Sequence, residues 1–473
     1  MMKKILIVLI LFFANITFSQ EKLNLFDDSR VSNEFKLEVK KASRIQEISK
    51  ANKKADTPFT NRLGVGGINV RGNITFVGNN ILSIDDSRFN FIGPNDDFNF
   101  GGNSNTDFEL GYIDIDDDLG IPGNNTTFSS SMSTLNLPSC SRVVYAGLYW
   151  ASIYPYDEWS DESAAINTRD GDFNTMKFKA PGQPYQDITG TVLYDDGEAT
   201  QLPYVCYSDV TSIVQSLGTN YNGDYFGANI KATLGQDSVG QGLGSSAGWV
   251  LVIIYENEGQ SSKNISLFDG FSTIDGVVST DVTFSGFTTI PSGPVRVQLL
   301  TAALEGDKPF VGDSFQILNQ SNNYVDITTG NNNQTNNFFN SSITKFNNFV
   351  NNRSPRSTNT LGFDVDLFNL SNPSNSVIGN GQSSIDLRFT TAQDAYFPFL
   401  NAMTVEIIEP EVQLLKTITD SGGVEISGTP VGLGAELYYN ITFQNVGTDD
   451  AINTIITDRL PKNVDLLEAV APN

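Results

Sequence analysis

Asp114, Asp116 and Asp118 are the residues whose type and spacing most directly suggest chemistry. Carboxylates at i, i+2 and i+4 can wrap a hard cation such as calcium where the backbone turns. The loop is not an EF-hand, because its sixth position is Leu119 instead of glycine and its twelfth is Asn125 instead of a bidentate glutamate. Asp85, Asp86, Asp96, Asp97 and Asp107 are available to complete a different calcium loop; the plainer alternative is an acidic, solvated turn. Calcium is thus the one cofactor the sequence suggests. A second group is aromatic: Tyr149, Trp150, Tyr154, Tyr156 and Trp159 crowd the end of one apolar run. Tyr149 and Trp150 read as core, whereas Tyr154, Tyr156 and Trp159 are available for stacking on a sugar ring. Acid pairs such as Asp157/Glu158 and Asp161/Glu162 would suit a glycosidase only if a cleft held two carboxyls a few ångströms apart. Linear spacing selects no such pair among 54 acidic residues, so no catalytic residue is assigned.

The 473 residues contain no histidine. That removes Ser-His-Asp and Cys-His catalysis and every histidine-based zinc or haem site. The formal net charge of −25 argues against nucleic acid as a partner. Charge is uneven: residues 1–60 hold 11 Lys+Arg and 7 Asp+Glu, against 18 and 47 in 61–473. Residues 1–19 place Lys3 and Lys4 before a ten-residue apolar run and end in Thr17 and Ser19, the order of a secretory signal peptide cleaved before Gln20. The run is too short to span a bilayer, so the mature chain is expected to carry no transmembrane segment. Export makes a disulfide between Cys140 and Cys206, the two cysteines present, the expected pairing.

The element that must organise these groups is the run 250–255, six apolar residues without a polar interruption, which suits a strand buried on both faces. Residues 142–150 are its sister. After a 20–60 arm, composition turns to Gly, Asn, Asp and aromatics, with short strand-like runs and no long capped helix. The fold class expected is all-β: a large, jelly-roll-like β-sandwich over 61–408, then an incomplete immunoglobulin-like sandwich over 410–473. The stretch 319–352, with 13 Asn, reads as a long mobile insertion. Pro410 marks the boundary, after which Leu437, Tyr439, Ile441 and Phe443 alternate with polar residues and 452–457 reads as the following strand.

Val412, Leu414, Lys416 and Thr417, then Tyr439, Ile441 and Thr442, the Asn445 to Gly447 turn, and Thr457, Asp458, Leu460 and Pro461 together resemble the conserved repeat of bacterial surface proteins. In that family, immunoglobulin-like modules are strung in arrays. Upstream, the segments around Tyr112 to Asp116, Phe128 to Ser131, Ala146 to Trp150, Asp209 to Thr211, Ala247 to Trp249 and Phe268 to Gly270 resemble the N-terminal region of large adhesin-like exported proteins of Bacteroidetes. The resemblance implies type IX secretion, gliding or surface attachment, and a location on the outer surface. It also implies that the chain is the N-terminal part of a longer repeat protein, with the secretion machinery and a surface glycan or other extracellular ligand as partners. The expected role is a non-catalytic adhesin or surface-display protein. A soluble secreted carbohydrate-binding protein is the rival within the binding class, and a histidine-free glycoside hydrolase is the rival outside it.

Overall fold

A computed structural model describes residues 54–85, 93–98, 101–116, 126–159, 165–197, 202–236, 243–276, 279–330, 332–392, 394–408, 410, 412–447 and 451–470. The 1–19 leader, most of the 20–60 arm and Asp118 lie outside these residues. The chain is all-β, as its apolar periodicity requires. Its main sheet runs, edge to edge, Thr191–Tyr194, Pro203–Asp209, Arg142–Ile153, Ala247–Glu256, Ile68–Asn80, Ser262–Phe271, Phe397–Glu406, Val297–Leu304, Phe363–Asn369, Ile343–Lys345 and Asn348–Phe349, with Thr57–Asn61 also beside Ser262–Phe271.

The strand Ile68–Asn80 is the hinge between the two halves of that sheet. Its first residues, Ile68 to Arg71, pair with Ser262 to Ile265; from Gly72 to Asn80 it pairs with Glu256 back to Gly248. Gly72 sits at the change of partner, where a Cβ would lie 1.8 Å from the carbonyl oxygen of Tyr255. Only glycine permits that approach. The two halves face each other across a shared core. Tyr194 stacks on Phe271 with centroids 3.7 Å apart, and a Cβ on Gly248 would lie 2.5 Å from the Phe363 ring.

Period-two alternation then assigns each inner strand to two cores. Along Ala247–Glu256, Val250, Val252 and Ile254 enter the central core, while Trp249, Leu251, Ile253 and Tyr255 enter a second one. That second core is closed by a five-stranded sheet of Gln186–Thr189, Thr175–Lys179, Gly223–Ala228, Ser130–Leu135 and Arg353–Ser354. On the far side, Val297, Leu299, Met403 and Val405 enter a third core. Its cover is the four-stranded sheet Thr280–Ser285, Ser384–Thr390, Ser314–Leu318 and Tyr324–Asp326. The body from residue 57 to 406 is thus two sandwiches packed face to face, four β-layers around three cores.

Three expectations are corrected here. Cys140 and Cys206 are free thiols, the first exposed and the second buried. Cys206 lies opposite Trp150 in the sheet, whereas Cys140 precedes Arg142 at the start of the same strand. Ten residues at ~3.3 Å each put them about 30 Å apart along the strand, far beyond the ~7 Å that a disulfide spans. Burial holds the Cys206 thiol well above its ordinary range. Thiol titration should therefore find one fast-reacting cysteine in the folded chain and two after unfolding; no reactive thiol in the unfolded, unreduced chain would contradict this arrangement.

The Asn-rich stretch is a folded part of the third core and not a mobile insertion. Phe338 and Phe339 are fully buried and pack on Phe315, Phe368 and Tyr396. The asparagines serve the turns: Asn333 donates to the Phe338 carbonyl at 2.9 Å, and Asn332 to the Asn347 carbonyl at 2.8 Å. Short amides of this kind satisfy backbone groups that no ladder reaches.

After the boundary, Val412–Thr419 and Tyr438–Asn445 form a two-stranded antiparallel hairpin, in register from Val412 opposite Asn445 to Thr419 opposite Tyr438. Residues 452–457 are not in a strand. With one partner strand among the described residues, Leu414, Leu415 and Phe443 are exposed. Lys416 is not a plain surface lysine: its ammonium pairs with both Asp458 oxygens at 2.8 Å and lies 4.3 Å from the Tyr439 ring centre.

Candidate functional site

The two described aspartates of the expected calcium loop follow the short strand Leu110–Tyr112 and are both engaged by the protein itself. Asp114 Oδ1 accepts from Thr127 Oγ1 at 3.0 Å and Ser130 Oγ at 2.6 Å. Asp116 Oδ2 accepts from Lys179 Nζ at 2.8 Å, and that ammonium lies 5.0 Å and 4.3 Å from the ring centres of Tyr185 and Phe226. A lysine thus already supplies the positive charge at Asp116 that a cation would bring. Tyr154 is buried, donating to Asp157 Oδ1 at 2.7 Å and accepting from the Asp170 amide at 3.0 Å, so it offers no face to a ligand. Tyr156 and Trp159 are half-buried on the edge hairpin Tyr156–Trp159 with Ala165–Thr168, in an edge-to-face contact of 4.7 Å.

A group of fully buried carboxylates lies elsewhere in the fold. Glu305, Asp307, Asp313, Asp364, Asp366 and Asp394 are all at most 1% exposed. They come from the end of Val297–Leu304, the loop leading to Ser314–Leu318, the strand Phe363–Asn369, and the turn before Phe397–Glu406. Phe363, Val365 and Leu367 take the central-core face of their strand, which leaves Asp364 and Asp366 on the opposite face, toward the third core.

Their partners are specific. Asp364 Oδ1 accepts the amides of Asn340 and Ser342, both at 2.9 Å. Asp313 Oδ1 accepts from Thr391 Oγ1 at 3.2 Å, and Asp394 Oδ2 accepts from the Asp307 amide at 3.2 Å. Asp366 Oδ1 accepts from Thr344 Oγ1 at 2.5 Å. Both Glu305 oxygens accept from Asn105 Nδ2, at 2.8 and 3.0 Å, which joins the two sandwiches. The second oxygens of Asp313, Asp364 and Asp366 have no donor. Burial, then repulsion from Asp394, holds the Asp313 carboxyl well above its usual range. Burial, then Asp366, does the same to Asp364, and burial pushes Asp366 up to about 7. As arranged, no three acidic or cysteine side chains among the described residues come together tightly enough to chelate an ion.

Alternation hid these residues. In FDVDLFN, acids between apolar residues look like the wet face of a half-buried strand. The signal available was two Gly-Asp pairs, Gly306-Asp307 and Gly312-Asp313, six residues apart between apolar strands.

No family model and no curated protein matches the chain. Among solved structures, similarity extends to the major capsid protein P2 of bacteriophage PM2, at 9% identity and a TM-score of 0.18 over 59% of this chain and 97% of that one. PNGF-II is similar at 10% identity and a TM-score of 0.20, over 70% of this chain and 65% of that one. PNGase F, a glycosylasparaginase from Flavobacterium meningosepticum, follows at 12% identity and a TM-score of 0.15, over 59% and 90%. None of these scores establishes a shared fold. Among the described residues no helix is long and apolar enough to cross a membrane.

Proposed function

We propose that the chain is an exported cell-surface adhesin or surface-display protein that binds an extracellular ligand, a surface glycan first, through the loops at the sandwich ends and performs no catalysis. The observation that carries this reading is that the interior carboxylate group is sealed: Asp313, Asp364 and Asp366 have no exposed surface. A glycosidase needs its two carboxyls open to the scissile bond. Histidine is absent as an alternative base. The leader-like residues 1–19 and the resemblance of the upstream segments to type IX-secreted adhesins support the outer surface as the location. A glycan array probed with the mature chain, with and without calcium, tests the reading. Saturable binding with no release of reducing ends is expected, whereas turnover of any bound glycan would refute it.

A further inference from the structure

A cleft of about 510 Å³ opens at one end of the sandwich built on the second core. That volume lies within the roughly 300–1,000 Å³ of small-molecule sites. Its walls are two connections: the turn after Thr175–Lys179, and the crossover that carries the chain from Pro203–Asp209 in the main sheet to Gly223–Ala228 in the five-stranded sheet. Both are fixed by the fold. The Gln183 amide closes the turn on the Ala180 carbonyl at 3.0 Å, and the Asn220 amide closes the crossover on the Leu217 carbonyl at 3.1 Å. Leu217 is anchored in the second core. Asn222 Oδ1 accepts the Leu137 amide at 2.6 Å while its Nδ2 donates to the Leu137 carbonyl at 3.0 Å. Gly223, at a φ of 140°, then passes so close to Pro181 that a Cβ would lie 3.1 Å from the proline's own.

No ionisable side chain lines the cleft, although the chain's net charge is −25. Gln183 and Asn220 are exposed, and neither side-chain amide has a hydrogen-bond partner among the described residues. Ser216 Oγ donates to the Ile213 carbonyl at 2.7 Å, which leaves its oxygen free to accept. A primary amide presents a donor beside an acceptor, and hydroxyls on neighbouring ring carbons both donate and accept, so the two match. A sulfate, phosphate or carboxylate would find no cation here. Pro181 and the edge of Leu217 add carbon surface for the C–H side of a ring.

We propose that this cleft binds the terminal rings of a neutral glycan, with Gln183 and Asn220 as hydrogen-bonding residues, Ser216 as an acceptor and Asn222 as the positioning residue that holds the crossover. The assignment rests on the reading of the chain as a glycan-binding surface protein and says where the glycan sits. The site is separate from Tyr156 and Trp159. The crossover meets the start of Arg142–Ile153, where Gln215 Nε2 donates to the Val143 carbonyl at 3.0 Å, whereas the Tyr156–Trp159 strand follows the other end.

The test probes an array of immobilised neutral, sialylated and sulfated oligosaccharides with the full mature chain, then titrates the tightest neutral binder against variants. Gln183→Ala combined with Asn220→Ala should weaken binding by about 10-fold or more, with an unchanged melting temperature because neither amide supports the fold. Ser216→Trp, which fills the cleft, should abolish binding, and Trp159→Ala should leave it intact. Full affinity in the double-alanine and Ser216→Trp variants would overturn the cleft while glycan binding itself stands. So would loss confined to Trp159→Ala, or a wild-type chain that takes only the sialylated or sulfated glycans. A wild-type chain that binds nothing on the array would overturn the parent reading and this site together.

Discussion

Arg62→Ala is expected to destabilise the folded chain by about 3–5 kcal/mol, the cost of leaving a buried charge without its partner. Arg62 forms a two-pronged pair with Asp269, with both N–O distances 2.7 Å. The Asp269 side chain is 1% exposed and also accepts from Tyr149 Oη at 2.9 Å. The Arg62 guanidinium in turn covers the Tyr207 ring, 4.4 Å from its centre. Tyr149 and Tyr207 belong to one half of the main sheet and Asp269 to the other, so this network ties the two sandwiches together. Chemical denaturation reads the loss as a lower midpoint. Adding Asp269→Asn to Arg62→Ala should recover more than half of it, because the stranded carboxylate is gone; a double variant no more stable than the single one would show that packing on Tyr207, not charge, accounts for the effect.

Asp366→Asn is expected to stabilise the chain above pH 7 by about 1–3 kcal/mol and to lose that advantage below pH 5. The Asp366 carboxyl is raised to about 7 in the fold by burial, from an ordinary value of 3.8. A raised carboxyl favours the protonated fold, so its stabilising contribution is complete below about pH 4. It is then lost as pH rises through 7, by up to ~4 kcal/mol. Asparagine keeps the acceptor for Thr344 and carries no charge, at the cost of one new amide donor in place of the unpartnered Oδ2. Unfolding free energies of both chains from pH 4 to pH 8 test this. Parallel curves would mean that Asp366 is ionised throughout.

The sequence alone determined the sheet character and its centre. Six apolar residues at 250–255 admit no solvent face, and the structure buries Val250, Val252 and Ile254 on one side and Leu251, Ile253 and Tyr255 on the other. The missing histidines likewise restrict the chemistry whatever the fold. What lay across strand ends was decided only in three dimensions. Cysteine count suggests a pair, but antiparallel register sets Cys206 beside Trp150 and leaves Cys140 at the other end of that strand. Composition made the Asn-rich stretch look solvated, yet Phe338 and Phe339 within it have enough apolar area to anchor the chain in the third core. Alternation shows which residues of 363–369 share a face, but not whether that face meets water or another sheet. At Asp364 and Asp366 the segment 333–344 and the loop at Gly306 cover it. That cover makes Asp364 and Asp366 interior residues, because a local pattern encodes the periodicity of a strand and only tertiary packing determines the medium on each side.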